Sequence, residues 1–359
     1  MVASHINQSL VKTFIKHAVT QGLSLERIKS LQYNLNWYLV RAKKPFNRMS
    51  REDINQLIYQ LEKSNYSEWT KFTRKAVIMK FIRYLLDDKH PTILKDIHLH
   101  QPKDRLVKAD LLTYDELKRL LDVAPENWRA LYAVHYDGNF RKKEILNTKL
   151  QDLTLHENYG ELSYRESKTQ TGTKILTLSV PYLLDWLEKH PTKDNPKSNI
   201  FQTYHKMWRR WIPIRDQAYI QHIKRDAIKA GLKKRVYTHL FRHSRTTQLI
   251  QQKTPLAIVE RSGRWKPGSR SLQRYIHLGD EDYRDEMLVQ AGLTAASKVL
   301  DPKLITCPWC QTLNPPGQTR CKEPKCRRSL DPWKQAEEDK KLLREVEEFL
   351  AKSKKLENP

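Results

Sequence analysis

In 359 residues the chain carries 66 Lys and Arg against 41 Asp and Glu, a formal net charge of +25 at pH 7. That length supports two or three separate cores, and that charge favours a polyanionic partner, because neutralised phosphates release condensed counterions. No apolar run approaches the roughly 20 residues a membrane helix needs, and the first residues, MVASHINQSLVKTF, lack an apolar signal core, so a cytoplasmic protein without a membrane partner is expected.

Residues 1 to about 100 read as helices. Leu10, Val11, Phe14, Ile15 and Ala18 recur at helical spacing, followed less regularly by Ile28, Leu31, Leu35, Trp37, Tyr38 and Val40. Ser50 with Asp53 three residues on has the form of a capping box and starts a third helix through Ile54, Leu57, Ile58 and Leu61. From Ser67 to Leu86 apolar positions interleave with Lys71, Arg74, Lys75, Lys80 and Arg83. This predicts a packed helix with a basic outer face able to lie along phosphates; a merely solvated face is the competing reading. Prolines and charges then cluster around His90-Pro91 and across 101–108, so residues 101–110 are expected to link a domain of residues 1–100 to the next.

Thr113 and Glu116 form a second capping box, ahead of Leu117, Leu120 and Leu121. Helical patterning from Trp128 to Leu150 is interrupted at Asp137-Gly138-Asn139, a turn that presents Arg141 at or near the next helix start, where backbone N–H groups favour anions. Strand-like stretches at 153–155 and 161–165, and at 174–180 after a turn at Thr171-Gly172, predict a small sheet that carries Lys168. Pro181 starts a helix, and helical segments are expected past Lys206 to Leu249. The expected class is mainly α with a small antiparallel β-sheet.

Within the next stretch, His239 and Arg242 stand three residues apart, which on a helix places both on one face to grip one anion. Gly263-Arg-Trp265 and Tyr275 follow, so a phenol can be returned to the cationic pair, a combination suited to phosphoryl transfer. With Gly138-Asn-Phe-Arg141-Lys-Lys-Glu144 and Lys168 upstream, these motifs resemble the signature of the tyrosine recombinases, the integrase and Xer-type DNA strand-exchange enzymes. The resemblance covers about residues 110 to 295. It implies an α-helical core-binding domain, a catalytic domain over 111–298, double-stranded DNA clamped between them, a homo-tetramer on paired sites, and a nucleoid-associated enzyme of a mobile element or a Xer-like resolvase.

The chemistry needs oxygens neutralised, a nucleophile in line and a protonated leaving group. Arg141 and Arg242 supply forked donors, His239 accepts the phenolic proton, Lys168 donates one to the 5′ oxygen, and Tyr275 forms a 3′-phosphotyrosyl ester. No catalytic metal or nucleotide cofactor is required. Trp265 stands where many relatives have His; its indole donates a hydrogen bond but shuttles no proton, and a core Trp is the competing reading. Lys174 is a second candidate for the acid; with Lys71, Arg74, Lys75 and Arg245 it is otherwise a candidate DNA contact, and His243 and Arg245 are expected to support their helix or touch backbone rather than catalyse. Tyr283, the other candidate nucleophile, sits among Asp280, Glu281, Asp282 and Asp285, whose charges repel a phosphate. Type IB topoisomerase chemistry and a non-catalytic, zinc-containing DNA-binding protein are the rival readings.

All four cysteines lie near the end, as Cys307-Pro-Trp-Cys310 and Cys321-Lys-Glu-Pro-Lys-Cys326. Two such pairs suit a closed structural zinc site over 303–331, which resembles the ribbon of archaeal integrase-like recombinases. A helix over 283–293 is expected to pack on a neighbouring protomer, as in relatives. In the tail, 332–359, Leu342, Leu343, Val346, Phe349 and Leu350 form one apolar stripe on a charged helix.

Overall fold

The computed structural model describes residues 2–86, 90–102, 107–156, 159–165, 171–269, 272, 275, 287–288, 291, 304–316 and 318–356. The chain divides into two units, Met1–Arg105 and Leu106–Pro359.

The first unit contains α1 (Val2–Thr20), α2 (Leu25–Leu39), α3 (Arg51–Glu62), α4 (Glu68–Leu86) and the single turn α5 (His90–Ile93). Gly22, at φ +71°, ends α1 in the left-handed region, and Ser24 caps α2 by accepting from the Arg27 amide. The Ser50/Asp53 capping box forms as the sequence predicts, with reciprocal bonds between each side chain and the other's amide. Phe14, Leu31, Leu35, Tyr38, Phe46, Ile54, Leu61, Ile78 and Phe81 are buried, each apolar side chain of this size contributing roughly 1.5–3 kcal/mol by leaving water. Phe81 meets Phe14 and Phe46 at ring separations of 5.2 and 5.3 Å. Buried Asn7 accepts from the Phe46 amide and donates to Lys44 O, stitching α1 to the α2–α3 connection.

The basic face of α4 differs from expectation. Arg74 is turned inward, with its guanidinium carbon 3.9 Å from the Tyr66 ring centre. Lys71 pairs with Glu68 at 3.0 Å and Lys75 with Glu62. Arg74 shares a helix face with Ile78 and Phe81 at i+4 and i+7, which are both buried, so the packing that seats them carries Arg74 inside. Lys80 and Arg83 are the exposed cations of the helix.

The second unit begins with α6 (Tyr114–Val123), α7 (Glu126–Asp137) and α8 (Lys142–Leu146). The Thr113/Glu116 box caps α6 as expected. An antiparallel sheet follows, ordered β1 (Leu153–Leu155), β2 (Gly160–Arg165), β3 (Thr171–Leu176), in a register that sets Leu162 opposite both Leu153 and Lys174. After α9 (Val180–Glu188) come the hairpin β4 (Gln202–His205) and β5 (Arg210–Pro213), then α10 (Asp216–Lys229), α11 (Thr238–Gln251) and α12 (Leu256–Gly263). Residues 127–137 of α7 are all but one buried, and its Tyr132 packs on Phe241 of α11 with ring centres 5.7 Å apart. The strands β6 (Ile305–Thr306) and β7 (Leu313–Asn314) and the long α13 (Pro332–Leu356) complete the chain.

Two sequence expectations are corrected here. The run past Lys206 is not continuously helical: Gln202–Pro213 is a hairpin, because Thr203, Tyr204, Trp211 and Ile212 favour strands and Arg209 takes φ 48° at the reversal. Thr171-Gly172 is strand rather than turn; Gly172 lies opposite Tyr164, whose ring occupies the space a Cβ would need. Lys168, Tyr283 and most of the expected 283–293 helix lie outside the described residues. Of the tail stripe, Leu342, Leu343 and Val346 are exposed on α13. No helix among the described residues is long and apolar enough to cross a membrane.

Candidate active site and cysteine cluster

The turn between α7 and α8 is held from several sides. The ring of Phe140 fills the space above Gly138, where a Cβ would sit 2.2 Å from it, and Asn139 takes φ 52°. Asn139 donates to Ser262 Oγ at 3.2 Å and accepts from Thr246 Oγ1 at 3.2 Å, joining the turn to α12 and α11. His135 Nε2 donates to the Phe140 carbonyl at 3.0 Å, which leaves Nδ1 to accept from the Tyr219 hydroxyl at 2.6 Å. Burial pushes this imidazole down to about 3, so it stays neutral. Asp137 accepts from the Thr177 amide at 2.7 Å and from the amide and hydroxyl of Ser179 at 3.0 and 2.9 Å, fixing the end of β3 against α7.

Arg141 emerges from this turn as the N-cap residue of α8, where the sequence places it. Buried Glu144 aims it, accepting from Arg141 Nη1 and from the Arg141 amide, both at 2.7 Å. Arg242 is only 2% exposed; it donates to Asn139 O at 2.7 Å and to Gly263 O, and its guanidinium carbon lies 4.5 Å from the Trp265 ring centre. Burial first, and then the nearby Arg141 charge, push Arg242 down to about 10, so it remains a cation at neutral pH. Gly263 has no side chain because the Trp265 ring lies where its Cβ would be.

Lys174 extends from β3 into the same site, buried, with its ammonium on Ser262 O and 5.8 Å from the Phe140 and Tyr164 ring centres. It and Arg242 thereby serve successive carbonyls at the C-terminus of α12, the end where a helix favours cations. Burial, followed by the Arg242 charge, pushes Lys174 down to about 7. Its expected place as an open DNA contact is therefore corrected: strand alternation points this position inward. Arg245 is likewise enclosed, donating to Gln248 Oε1 at 2.7 Å with Asp137 Oδ1 at 3.7 Å.

Tyr275 is buried among Val259, Leu272 and Trp265, with the Trp265 ring centre 5.7 Å from its own. Its hydroxyl lies 2.6 Å from Nδ1 of His243. His239 is exposed at the start of α11, its ring edge-on to His243 at 4.5 Å. The structure thus brings together Arg242, Trp265 and Tyr275 as the sequence reading requires and adds His243. The sequence reading expected His243 to support its helix or touch backbone; its contact with the Tyr275 hydroxyl differs from that, and the i+4 spacing from His239 was the local signal for it. Two guanidiniums, an amine and a phenol, linked through Glu144, Ser262 and Trp265, are groups suited to hold an anionic ester and attack it.

At the other end of the unit the four cysteine sulfurs lie within 4.8 Å of one another. Cys307 and Cys326 are 3.8 Å apart and Cys310 and Cys321 3.5 Å, with no disulfide formed. Four thiolates at about 2.3 Å from one zinc stand about 3.8 Å apart, so the donor set fits a tetrahedral metal. The loops around the cluster dock on the unit through Lys322, which donates to Asp185 at 2.8 Å and Pro181 O at 3.1 Å, and through Tyr114, which donates to Pro316 O at 3.3 Å.

Residues 110–282 match the phage integrase family. The tyrosine recombinase XerD of Oceanobacillus iheyensis is 23% identical over 255 residues, covering 67% of this chain and 84% of its own. XerD of Bifidobacterium longum is 25% identical over 262 residues, with the same coverage, 67% and 84%. A lambda integrase tetramer bound to a Holliday junction shares the fold at a TM-score of 0.58 and 12% identity, over 75% of this chain and 76% of that one. The domain at 110–282 thus matches the phage integrase family model, and the chain is similar to tyrosine recombinases.

Proposed function

We propose that the protein is an active site-specific DNA recombinase that cuts and rejoins double-stranded DNA through a 3′-phosphotyrosyl ester on Tyr275, with side chains rather than a catalytic metal supplying the positive charge. The observation that carries this reading is the contact series from Arg242 to Trp265 at 4.5 Å and from Trp265 to Tyr275 at 5.7 Å, with Arg141 close enough to perturb Arg242. Arg141 and Arg242 take the non-bridging oxygens, each a forked donor that lysine replaces poorly. His239, exposed at the start of α11, and the Trp265 indole add donors as charge grows on the phosphate. The Tyr275 oxygen bonds to phosphorus, its proton passing to a histidine of α11, as the bond to the 5′ oxygen breaks and Lys168 protonates that oxygen. The ester keeps the bond energy for rejoining to another strand.

The first unit is proposed as the core-binding domain, residues 111–298 as the catalytic domain and 101–110 as their link. The four-cysteine cluster is proposed to hold structural zinc, and the lambda integrase assembly supports a tetramer on paired sites. The test is covalent trapping: wild type, Tyr275→Phe and Tyr283→Phe are incubated with suicide DNA and a chelator, then resolved under denaturing conditions. Adducts in wild type and Tyr283→Phe, absent in Tyr275→Phe, are expected. Tight DNA binding without any adduct would overturn the reading in favour of a non-catalytic binder, and relaxation of supercoils without strand exchange would favour a topoisomerase.

A further inference from the structure

The sequence reading gives the phenolic proton to His239, but the geometry points to His243 as the group that takes it, so that His239 is left to the phosphate. This rests on Tyr275 being the nucleophile. The Tyr275 oxygen and His243 Nδ1 are 2.6 Å apart, a short O–H to N distance, and both groups are shut from solvent, His243 at 7% exposure and Tyr275 at 2%. A hydrogen bond made without water between a phenol and an imidazole nitrogen is a prepared route for one proton. His239, four residues earlier and exposed, meets the edge of the His243 ring at 4.5 Å. Arg242 lies between them in sequence and shares the Tyr275 neighbourhood through Trp265. One helical turn therefore presents three functions in different directions: His239 outward, Arg242 to the turn carbonyls and the phosphate, His243 to the phenol.

The step balances without a further reactant. As the Tyr275 oxygen forms its bond to phosphorus, its proton moves to His243 Nδ1 and the imidazole becomes cationic. The 5′ oxygen leaves with the phosphorus–oxygen electron pair and takes a proton from a lysine. Rejoining runs the same transfers backwards, with His243 returning the proton to the phenolate.

Single-turnover adduct formation by the full chain is compared for wild type, His243→Gln, His243→Asn, His239→Ala and Lys168→Ala at saturating DNA. Two substrates are used, ordinary suicide DNA and the same DNA with sulfur at the scissile 5′ bridging position, whose thiolate leaves without a proton. His243→Gln and His243→Asn are expected to slow both substrates by about 100-fold or more, the usual scale for loss of a general base. Added imidazole is expected to restore part of the rate. Lys168→Ala is expected to recover on the sulfur substrate, which marks loss of the acid. Glutamine and asparagine keep a polar side chain of similar size, and wild-type DNA affinity identifies variants that are folded. A His243→Gln rate within about threefold of wild type overturns the assignment, as does recovery of the His243 variants on the sulfur substrate. A wild type that forms no adduct, or a Tyr275→Phe that still does, overturns the Tyr275 reading beneath it instead.

Discussion

Two arginines, one in each unit, are buried almost completely against aromatic rings, and they are held in opposite ways. Arg242 donates to two backbone carbonyls, Asn139 O and Gly263 O, and lies over Trp265. Arg74 lies 3.9 Å from the Tyr66 ring centre and 5.4 Å from that of Trp37, but its Nε and Nη1 have no hydrogen-bond partner among the described residues. A buried charge with satisfied donors is fixed in direction, as a phosphate site requires. One held mainly by ring faces carries an uncompensated desolvation cost, for which cation–π contact returns roughly 2 kcal/mol at best. Burial alone therefore separates neither functional from structural cations; the partners do.

The comparison breaks most visibly at the site itself. Arg242→Lys is expected to lower the rate of adduct formation by about 100-fold or more, because an ammonium does not reproduce the forked donation, and to reduce thermal stability, because one carbonyl loses its partner. Arg74→Met is expected to leave the adduct rate within a few-fold of wild type and the melting temperature equal or higher, as when buried charges give way to well-packed apolar groups. Adduct assays and melting curves on the two variants test both statements. A large loss of DNA affinity in Arg74→Met would restore the reading of that face as a phosphate contact. Lys80→Ala with Arg83→Ala, the exposed pair on α4, is expected to weaken DNA binding more than Arg74→Met and to steepen less with salt.

How much of this was legible in the sequence follows from range. Capping boxes at Ser50/Asp53 and Thr113/Glu116 involve partners three residues apart, and both form as written. Arg141 at a helix start and the His239–Arg242 pair on α11 are equally local. The hairpin at Gln202–Pro213 was missed because its basic reversal, Lys206-Met-Trp-Arg209, carries no glycine or proline, and the pairing is fixed by Tyr204 against Trp211 and by Trp211 against Trp186 of α9. Gly172 read as a turn because its reason, the Tyr164 ring across the sheet, lies on another strand. The inward turn of Arg74 depends on aromatic residues of α2 and on Tyr66, and the His243–Tyr275 bond on a segment 32 residues on. Contacts of that range leave no local pattern to read.

The cysteine cluster, whose four sulfurs lie close enough together to hold a metal ion, sharpens the same contrast. Removing its metal with a strong chelator is expected to unfold residues around 304–331, since so small a loop pair has little core of its own. Metal content near one zinc per chain, hydrogen exchange rising across that segment, and an adduct rate changed only a few-fold are the expected results. Loss of adduct formation in step with the metal would mean that the ribbon, docked through Lys322 and Tyr114, supports the catalytic site.

Lys174 gives the smallest effect and the finest test, because it is a buried cation with a carbonyl partner that, unlike arginine, can release its proton. It faces Arg242, Arg141 and Arg264, with Glu144 opposing them, and burial carries it down to about 7 in the fold, against about 10.4 in an unfolded chain. Between those two values the unfolded chain binds a proton that the folded chain has released, so this group makes stability rise with pH across the window and contributes no slope outside it. Lys174→Met removes the group that must be neutralised on burial. Its melting temperature relative to wild type is therefore expected to be most favourable near pH 6 and to lose roughly several degrees of that advantage by pH 10. A difference between the two proteins that is flat from pH 6 to 10 would show that Lys174 keeps its proton in the folded site, held by the Ser262 carbonyl and the α12 terminus strongly enough to outweigh both burial and three guanidinium neighbours.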